Sequence, residues 1–291
     1  MILLTGATGN NGREIARLLA ARGVPFRAMV RDKNKAADLA ALPGAQLVIG
    51  DFEKLETLNA ALVGVETAFL LSAPGPRQAE LQSNFVEAAK RASRMRHLIH
   101  FSALGASPQA PFRFGRIHGQ TEEQIKSSRL KWTILRPGNF MQNWLAFAPA
   151  IKQTGLIHDP LDTVVVAYVD VRDIARVAVA VLTDPAAHAN ASYDISGPAA
   201  LAGAHVASAL SEATGKTIGY QSIPLDAFVQ GTKASGVPVW QADGLGELYA
   251  WLAQGNGAAV TTTIRDVTGK TPARFAAWAR ENADSFTEEK K

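Results

Sequence analysis

Cysteine is absent from the 291 residues, which excludes a disulfide scaffold, a thiolate nucleophile, an iron–sulfur cluster and any zinc site with a cysteine ligand. Long apolar runs are missing too. Candidates such as Phe69 to Ala73 and Val164 to Val169 are strand-sized, far short of the roughly 20 residues a membrane-spanning helix needs. No basic region or cleavage site precedes Met1-Ile2-Leu3-Leu4, so no signal peptide is expected and the fold is expected to begin at residue 1. Charge of one sign is also scarce: 30 Lys and Arg against 26 Asp and Glu leave a formal +4. The densest basic group, Arg91, Arg94 and Arg96, reads as a solvated helix end without an aromatic or repeated basic stripe, so no nucleic-acid partner is expected. These absences lead to the expectation of a soluble cytoplasmic protein with no membrane partner; they set no oligomeric state.

What is present is a chain with 47% hydrophobic residues, enough for a large core. Short β-type runs alternate with segments of helical period from the start. Ile2 to Leu4, Phe26 to Val30, Gln46 to Ile49, Thr67 to Leu71, Leu98 to Phe101 and Thr133 to Leu135 read as strands. Arg13 to Arg22 and Leu81 to Ala92 carry apolar stripes that face a sheet. The rhythm predicts an α/β fold, a doubly wound parallel sheet of Rossmann type, with Val164 to Val169 as a seventh strand feeding a helix over Val171 to Leu182. It is lost after Pro185. Residues 1–184 are therefore expected to bind a dinucleotide, and 185–291 to form a smaller C-terminal α/β lobe that contacts substrate.

Thr5-Gly6-Ala7-Thr8-Gly9-Asn10-Asn11-Gly12 follows the first strand and opens the first helix. Gly6 permits the tight turn, Gly9 lets backbone amides approach a pyrophosphate, and Gly12 lets helix and strand pack closely, with Thr8, Asn10 and Asn11 completing the binding loop. After the second strand stands Val30-Arg31-Asp32. Arg31 places a guanidinium where a 2′-phosphate would sit, favouring NADP, while Asp32 one residue on keeps NAD open. Asp51 and Phe52 follow the third strand and are expected at the adenine, although Asp51 equally suits the cap of the helix starting near Lys54. Ser72, Ala73 and Pro74 after the fourth strand and Ser102 after the fifth lie at carboxyl ends, where open α/β sheets bind ligands. Asn139, Phe140, Met141, Asn143 and Trp144 follow the sixth strand and read either as the floor of a pocket for a flat apolar substrate or as packing. No metal site is expected, because His97 and His100 are three apart on a strand and point to opposite faces.

These motifs, together with His118-Gly119-Gln120-Thr121-Glu122, Leu135-Arg136-Pro137-Gly138-Asn139-Phe140-Met141-Gln142-Asn143 and Val169-Asp170-Val171-Arg172-Asp173-Ile174-Ala175, resemble the NmrA-like family of atypical short-chain dehydrogenases. The likeness is to its quinone-reductase, triphenylmethane-reductase and azoreductase branch, over nearly the whole chain. It implies an NADPH-dependent reductase of a small conjugated acceptor, or a redox-sensing regulator that binds dinucleotide without turnover. Typical short-chain dehydrogenases use Tyr-x-x-x-Lys, whose lysine lowers the tyrosine pKa so that the phenol protonates a carbonyl oxygen. Four residues after Tyr168, Tyr193, Tyr220 and Tyr249 stand Arg172, Gly197, Pro224 and Ala253, so that dyad is missing. Its helix carries His118 and Glu122 instead, an i,i+4 pair. His118 is the candidate catalytic residue, as a modest proton donor, with orienting the nicotinamide ribose or capping the helix as alternatives.

Overall fold

The computed structural model describes residues 1–287. The strands are β1 (Ile2–Leu4), β2 (Phe26–Val30), β3 (Ala45–Ile49), β4 (Thr67–Leu70), β5 (His97–Phe101), β6 (Lys131–Pro137), β7 (Leu156–Asp159), β8 (Ala191–Ile195) and β9 (Gly219–Ser222). The helices are α1 (Asn10–Ala21), α2 (Ala37–Ala40), α3 (Leu55–Ala61), α4 (Gln78–Arg91), α5 (Arg113–Lys126), α6 (Ala148–Thr154), α7 (Val171–Thr183), α8 (Gly203–Thr214), α9 (Leu225–Ala234), α10 (Val239–Trp251), α11 (Thr263–Thr268) and α12 (Phe275–Glu281). They fall into two compact units. The first comprises Met1–Ala110, Gly115–Arg136 and Ile174–Asp194, the second Pro111–Phe114, Pro137–Asp173 and the described residues from Ile195 on.

The first unit is a seven-stranded sheet in the order β3-β2-β1-β4-β5-β6-β8. The pairs from β3 through β6 are all parallel. Thr67, Ala68, Phe69 and Leu70 are all buried, which explains why this strand is an unbroken run rather than an alternation: helices cover both faces. Helix α1 turns Ile15, Ala16 and Leu19 inward. On α4, Phe85, Val86 and Ala89 join Leu3, Leu58 and Leu98 in one core cluster. Strand order reverses between β1 and β4, the switch point at which such sheets leave a crevice beyond their carboxyl ends.

The second unit contains the parallel pair β7–β9 and an aromatic core in which Trp144, Tyr168, Phe275 and Trp278 pack with Val206 and Leu210 of α8. Two ion-pair groups tie its distant segments together. The Arg113 guanidinium donates to Glu247 on α10 and to the Trp240 carbonyl, while the Arg113 backbone N–H donates to the same carboxylate. Asp170, fully buried, accepts from the backbone N–H and guanidinium of Arg172 and from Gln142. Arg172 also pairs with Glu281, and Asp173 accepts from the backbone N–H of Ala273. The Asp-x-x-Asp stretch at the start of α7 thus fastens the C-terminal helix of its own unit.

Two expectations are corrected. Val164 to Val169 is not a strand of the sheet; it makes only isolated bridges, Val166 with Leu201 and Val169 with Phe140. Its uniform apolarity reflects burial in the second unit's core, which an apolar run alone does not distinguish from a sheet strand. The seventh strand is β8, which lies within the segment 185–291 expected to form the C-terminal lobe. Nor do the contacts part at 184/185: the chain leaves the first unit at the end of β6, re-enters it along α7 and leaves again after β8. Among the described residues no helix is long and apolar enough to cross a membrane.

Candidate active site

The glycine loop is built as its spacing requires. Gly6 has φ +61°, and a Cβ there would lie 2.7 Å from Leu71 Cγ, so glycine serves both the left-handed turn and the close approach to the strand end. Thr5 locks that approach: its hydroxyl donates to the Phe69 or Leu71 carbonyl and accepts from the Leu71 N–H. A Cβ on Gly12 would collide with the Gly6 carbonyl. Gly9 differs. Its added Cβ would meet only the Gly6 carbonyl oxygen, at an ordinary 3.5 Å, so the protein leaves room on that side. No side chain caps α1, so its first-turn N–H groups stay available to an anion. Thr8, Gly9 and Asn10 are exposed, and the Asn11 Oδ1 is buried without a partner. This cradle fits a dinucleotide pyrophosphate.

At the end of β2, Arg31 is exposed and hydrogen-bonds to none of the described residues. The neighbouring Arg13 is already engaged, its Nε donating to the Thr8 carbonyl and its Nη1 paired with Asp38. Asp32 is occupied as well, since its Oδ1 accepts from the Asn34 N–H and caps the following 3₁₀ turn. Of the two arginines here, Arg13 is engaged and the Arg31 side chain is not. Asp51 Oδ1 accepts from the Glu53 N–H, which leaves the other carboxylate oxygen for a ligand. Phe52 is half-buried with its ring 5.8 Å from that of Phe85.

Beyond β4 and β5 the hydroxyls are tied inward. Ser72 accepts from Gln82, fully buried, whose amide oxygen accepts from Thr121 on α5. Ala73 and Pro74 are exposed in the loop that follows. Ser102 donates to Glu122 Oε1 at 2.6 Å. Glu122, 2% exposed, also accepts both Arg136 Nε and Nη2 and Lys126 Nζ. Burial alone would raise its pKa, but the bonds from Arg136 and Ser102 outweigh it and hold the carboxyl below its ordinary value. Helical spacing on α5 does not reveal this partnership. Its signal was Arg136, a charge at the end of a buried apolar strand, which requires a counter-ion.

His118 does not hydrogen-bond to Glu122. Its Nδ1 lies 3.3 Å from the Nε2 of His100, a residue fully buried on β5. Burial lowers His118 to a pKa of about 4 and His100 to about 3, so both imidazoles are neutral at pH 7 and share one hydrogen between those nitrogens. His97 faces the other way, onto Thr133 at 2.8 Å, and among the described residues no group of His, Asp or Glu is arranged to hold a metal.

In the second unit, Met141 and Trp144 are buried in the aromatic core, which favours packing for these two. Asn139 and Phe140 are half-buried and Asn143 exposed. The Asn139 carbonyl accepts from the Val169 N–H.

The NmrA-like family model matches residues 1–272. An NAD(P)H azoreductase from Xenophilus azovorans is 40% identical over 286 residues, covering 98% of this chain and 99% of that protein. The NADPH-dependent quinone oxidoreductase of Escherichia coli, solved with NADPH, superposes with a TM-score of 0.89 at 28% identity, covering 97% of this chain and 99% of that one. Citrobacter triphenylmethane reductase, solved with NADP(H), shares the fold at a TM-score of 0.87 and 24% identity, over 97% and 100% of the two chains. The fold and the glycine loop define a dinucleotide-binding protein of the atypical short-chain dehydrogenase class. Within that class, this chain belongs to the NmrA-like family.

Proposed function

We propose that the protein is an NADPH-dependent reductase that passes hydride to a flat conjugated acceptor: a quinone, an azo compound, a cationic dye or an imine. Gly6, Thr8, Gly9, Asn10, Asn11 and Gly12 hold the pyrophosphate, Arg31 the 2′-phosphate, Asp51 and Phe52 the adenine, and the Ser72–Pro74 turn with Ser102 borders the rest of the cofactor. NADPH, when bound, supplies the hydride; the chain sets distance and orientation and excludes water.

The observation that carries the substrate class is the state of α5. Where a proton donor would work, His118 is a neutral imidazole paired with His100, and Glu122 is an ionised carboxylate already held by Arg136, Lys126 and Ser102. Hydride added to an isolated ketone leaves a localised alkoxide, which needs a positioned acid. A quinone or azo bond delocalises the incoming charge, so water or a weak N–H donor completes the reaction, and a cationic dye is neutralised by the hydride and needs no proton. The azoreductase and quinone oxidoreductase relatives support this reading.

The test is NADPH oxidation, followed by absorbance, with 1,4-naphthoquinone, an azo dye, a cationic triarylmethane dye and cyclohexanone. The first three should turn over and cyclohexanone should be nearly inert. Rapid reduction of cyclohexanone sinks the reading. Tight NADPH binding without oxidation across the panel would favour a non-catalytic redox sensor, which the missing dyad also fits.

A further inference from the structure

We infer that Gln82 is a positioning residue: it fixes the Ser72 hydroxyl as a hydrogen-bond donor to an oxygen in the phosphate–ribose backbone of the bound dinucleotide. The inference rests on the dinucleotide assignment and adds to it a donor whose direction is set from inside the fold.

A glutamine is costly where this one stands. It lies on the face of α4 that carries Phe85, Val86 and Ala89 inward, and it is fully buried; a leucine there would pack with no amide to desolvate. The amide is used at both ends. Its Nε2 donates to the Ser72 Oγ at 3.0 Å, and its Oε1 accepts from the hydroxyl of Thr121, itself 2% exposed, at 2.8 Å. The Thr121 hydrogen has a second acceptor, the Ile117 carbonyl of its own helix, but at 3.3 Å. The nearer acceptor sets the amide's orientation, oxygen toward Thr121 and nitrogen toward Ser72.

The relay ends in a spare hydrogen. A serine hydroxyl has one hydrogen and two lone pairs. With the Gln82 N–H on a lone pair, the Ser72 hydrogen points away from that amide and meets no acceptor among the described residues. Ser102 is the opposite case. The β4–β5 register sets Leu70 beside His100, so Ser72 and Ser102 leave neighbouring strand ends at the same level, yet Ser102 donates its hydrogen to Glu122 Oε1. Of these two hydroxyls, the one on Ser72 has a hydrogen to give.

Position names the acceptor. Ser72 follows Leu71, whose carbonyl oxygen lies 2.8 Å from where a Cβ on Gly6 would stand, so the hydroxyl is carried at the strand end that borders the glycine cradle. It is only half-buried, which leaves it open to a ligand. The pyrophosphate and the riboses of a dinucleotide offer acceptor oxygens along this stretch, and a neutral O–H meets one of them without adding a charge.

The test is calorimetric NADPH binding in a double-mutant cycle. Ser72→Ala removes the donor and should weaken binding about tenfold. Gln82→Met keeps an apolar side chain of similar length on α4 and frees the hydroxyl to rotate, which should weaken binding about threefold. Thr121 then falls back on the Ile117 carbonyl, so no hydroxyl is stranded. In the Ser72→Ala background Gln82→Met should change nothing further, because it acts only through that hydroxyl. A glutamine of merely structural importance would weaken binding whether or not Ser72 is present. Should Gln82→Met fail to fold, Thr121→Val frees the amide to turn and carries the same cycle. Parallel titration with 2′,5′-ADP locates the oxygen: a Ser72→Ala loss confined to NADPH puts it beyond the adenosine half, and a loss with both puts it within that half. Wild-type affinity in Ser72→Ala, which a reversed amide would give, or additive losses in the double variant, overturn the relay and leave the dinucleotide assignment standing. Absence of NADPH binding by the wild-type protein overturns both.

Discussion

Polar groups in this molecule face opposite fates. Around α5, Glu122 is surrounded by Ser102, Arg136 and Lys126, and a nearby chain of hydrogen bonds runs from Thr121 through Gln82 to Ser72. In the second unit, Asp159 Oδ2 and the Trp144 indole are left open. A closed network holds a shape, because every group has already spent its hydrogen-bonding capacity. An open group keeps that capacity. The difference teaches which substitutions should act on stability and which on binding, and that division is what experiments can break.

The largest effect belongs to the closed cluster. Glu122→Ala strands Arg136 and Lys126, and breaking a buried, hydrogen-bonded pair costs about 3 kcal/mol. Urea denaturation should show that loss. A variant of unchanged stability would mean that the network is not closed as described.

The glycine loop makes the same division within eight residues. Gly12→Ala drives a Cβ into the Gly6 carbonyl and should lower Tm, because the obstacle is backbone that cannot step aside. Gly9→Val extends into space the protein leaves empty, so it should keep the fold while abolishing NADPH and NADH binding by calorimetry. Loss of stability in Gly9→Val with binding intact would reverse the assignment.

How far the sequence foretold this division depends on whether a group's partner is local. The glycine loop, the strands from Ile2 to Leu135 and the crossover helices were legible, because turn chemistry and apolar period are short-range signals. Val164 to Val169 was misread because a run buried in any core looks the same one residue at a time. His118 and Glu122 were correctly placed on one helix, but their partners, His100 and Arg136, sit on strands elsewhere in the sequence. Helical spacing alone therefore suggested a His–Glu pair that the fold does not make. Asp159 carried no motif at all; its isolation appears only once β7 and β9 pair.

A smaller effect concerns Arg31, an exposed group with capacity to spare. Arg31→Ala should weaken NADPH binding about tenfold to a hundredfold, the loss of a charge-assisted hydrogen bond worth roughly 1.5–3 kcal/mol, with NADH little changed. Parallel titrations with both cofactors check it. Equal losses would mean that the guanidinium reads some other part of the nucleotide. The fold should be indifferent to the change, as no described partner is left stranded.

The smallest effect is a matter of pH, and it separates a neutral His118 from a proton donor. With folded-state pKa values of about 4 for His118 and about 3 for His100, lowered first by burial, neither protonates between pH 5 and 8. An acid catalyst with an ordinary histidine pKa near 6.5 would make kcat fall as pH rises through that value. Here kcat for 1,4-naphthoquinone should stay flat across that range, and His118→Ala should lower it without changing its shape. Stability follows the same pair with a definite sign. The unfolded chain takes up protons near pH 6.5 while the folded chain refuses them until about pH 4 or below, so the unfolded state binds more protons in that window and stability falls as pH drops through it. Glu122, held below its ordinary pKa, adds its own loss only at more acid pH, below about 4.5. An acid-unfolding curve should therefore begin its descent near pH 6.5, before Glu122 is protonated. A kcat limb near pH 6.5 that disappears in His118→Ala would instead make this histidine the proton donor.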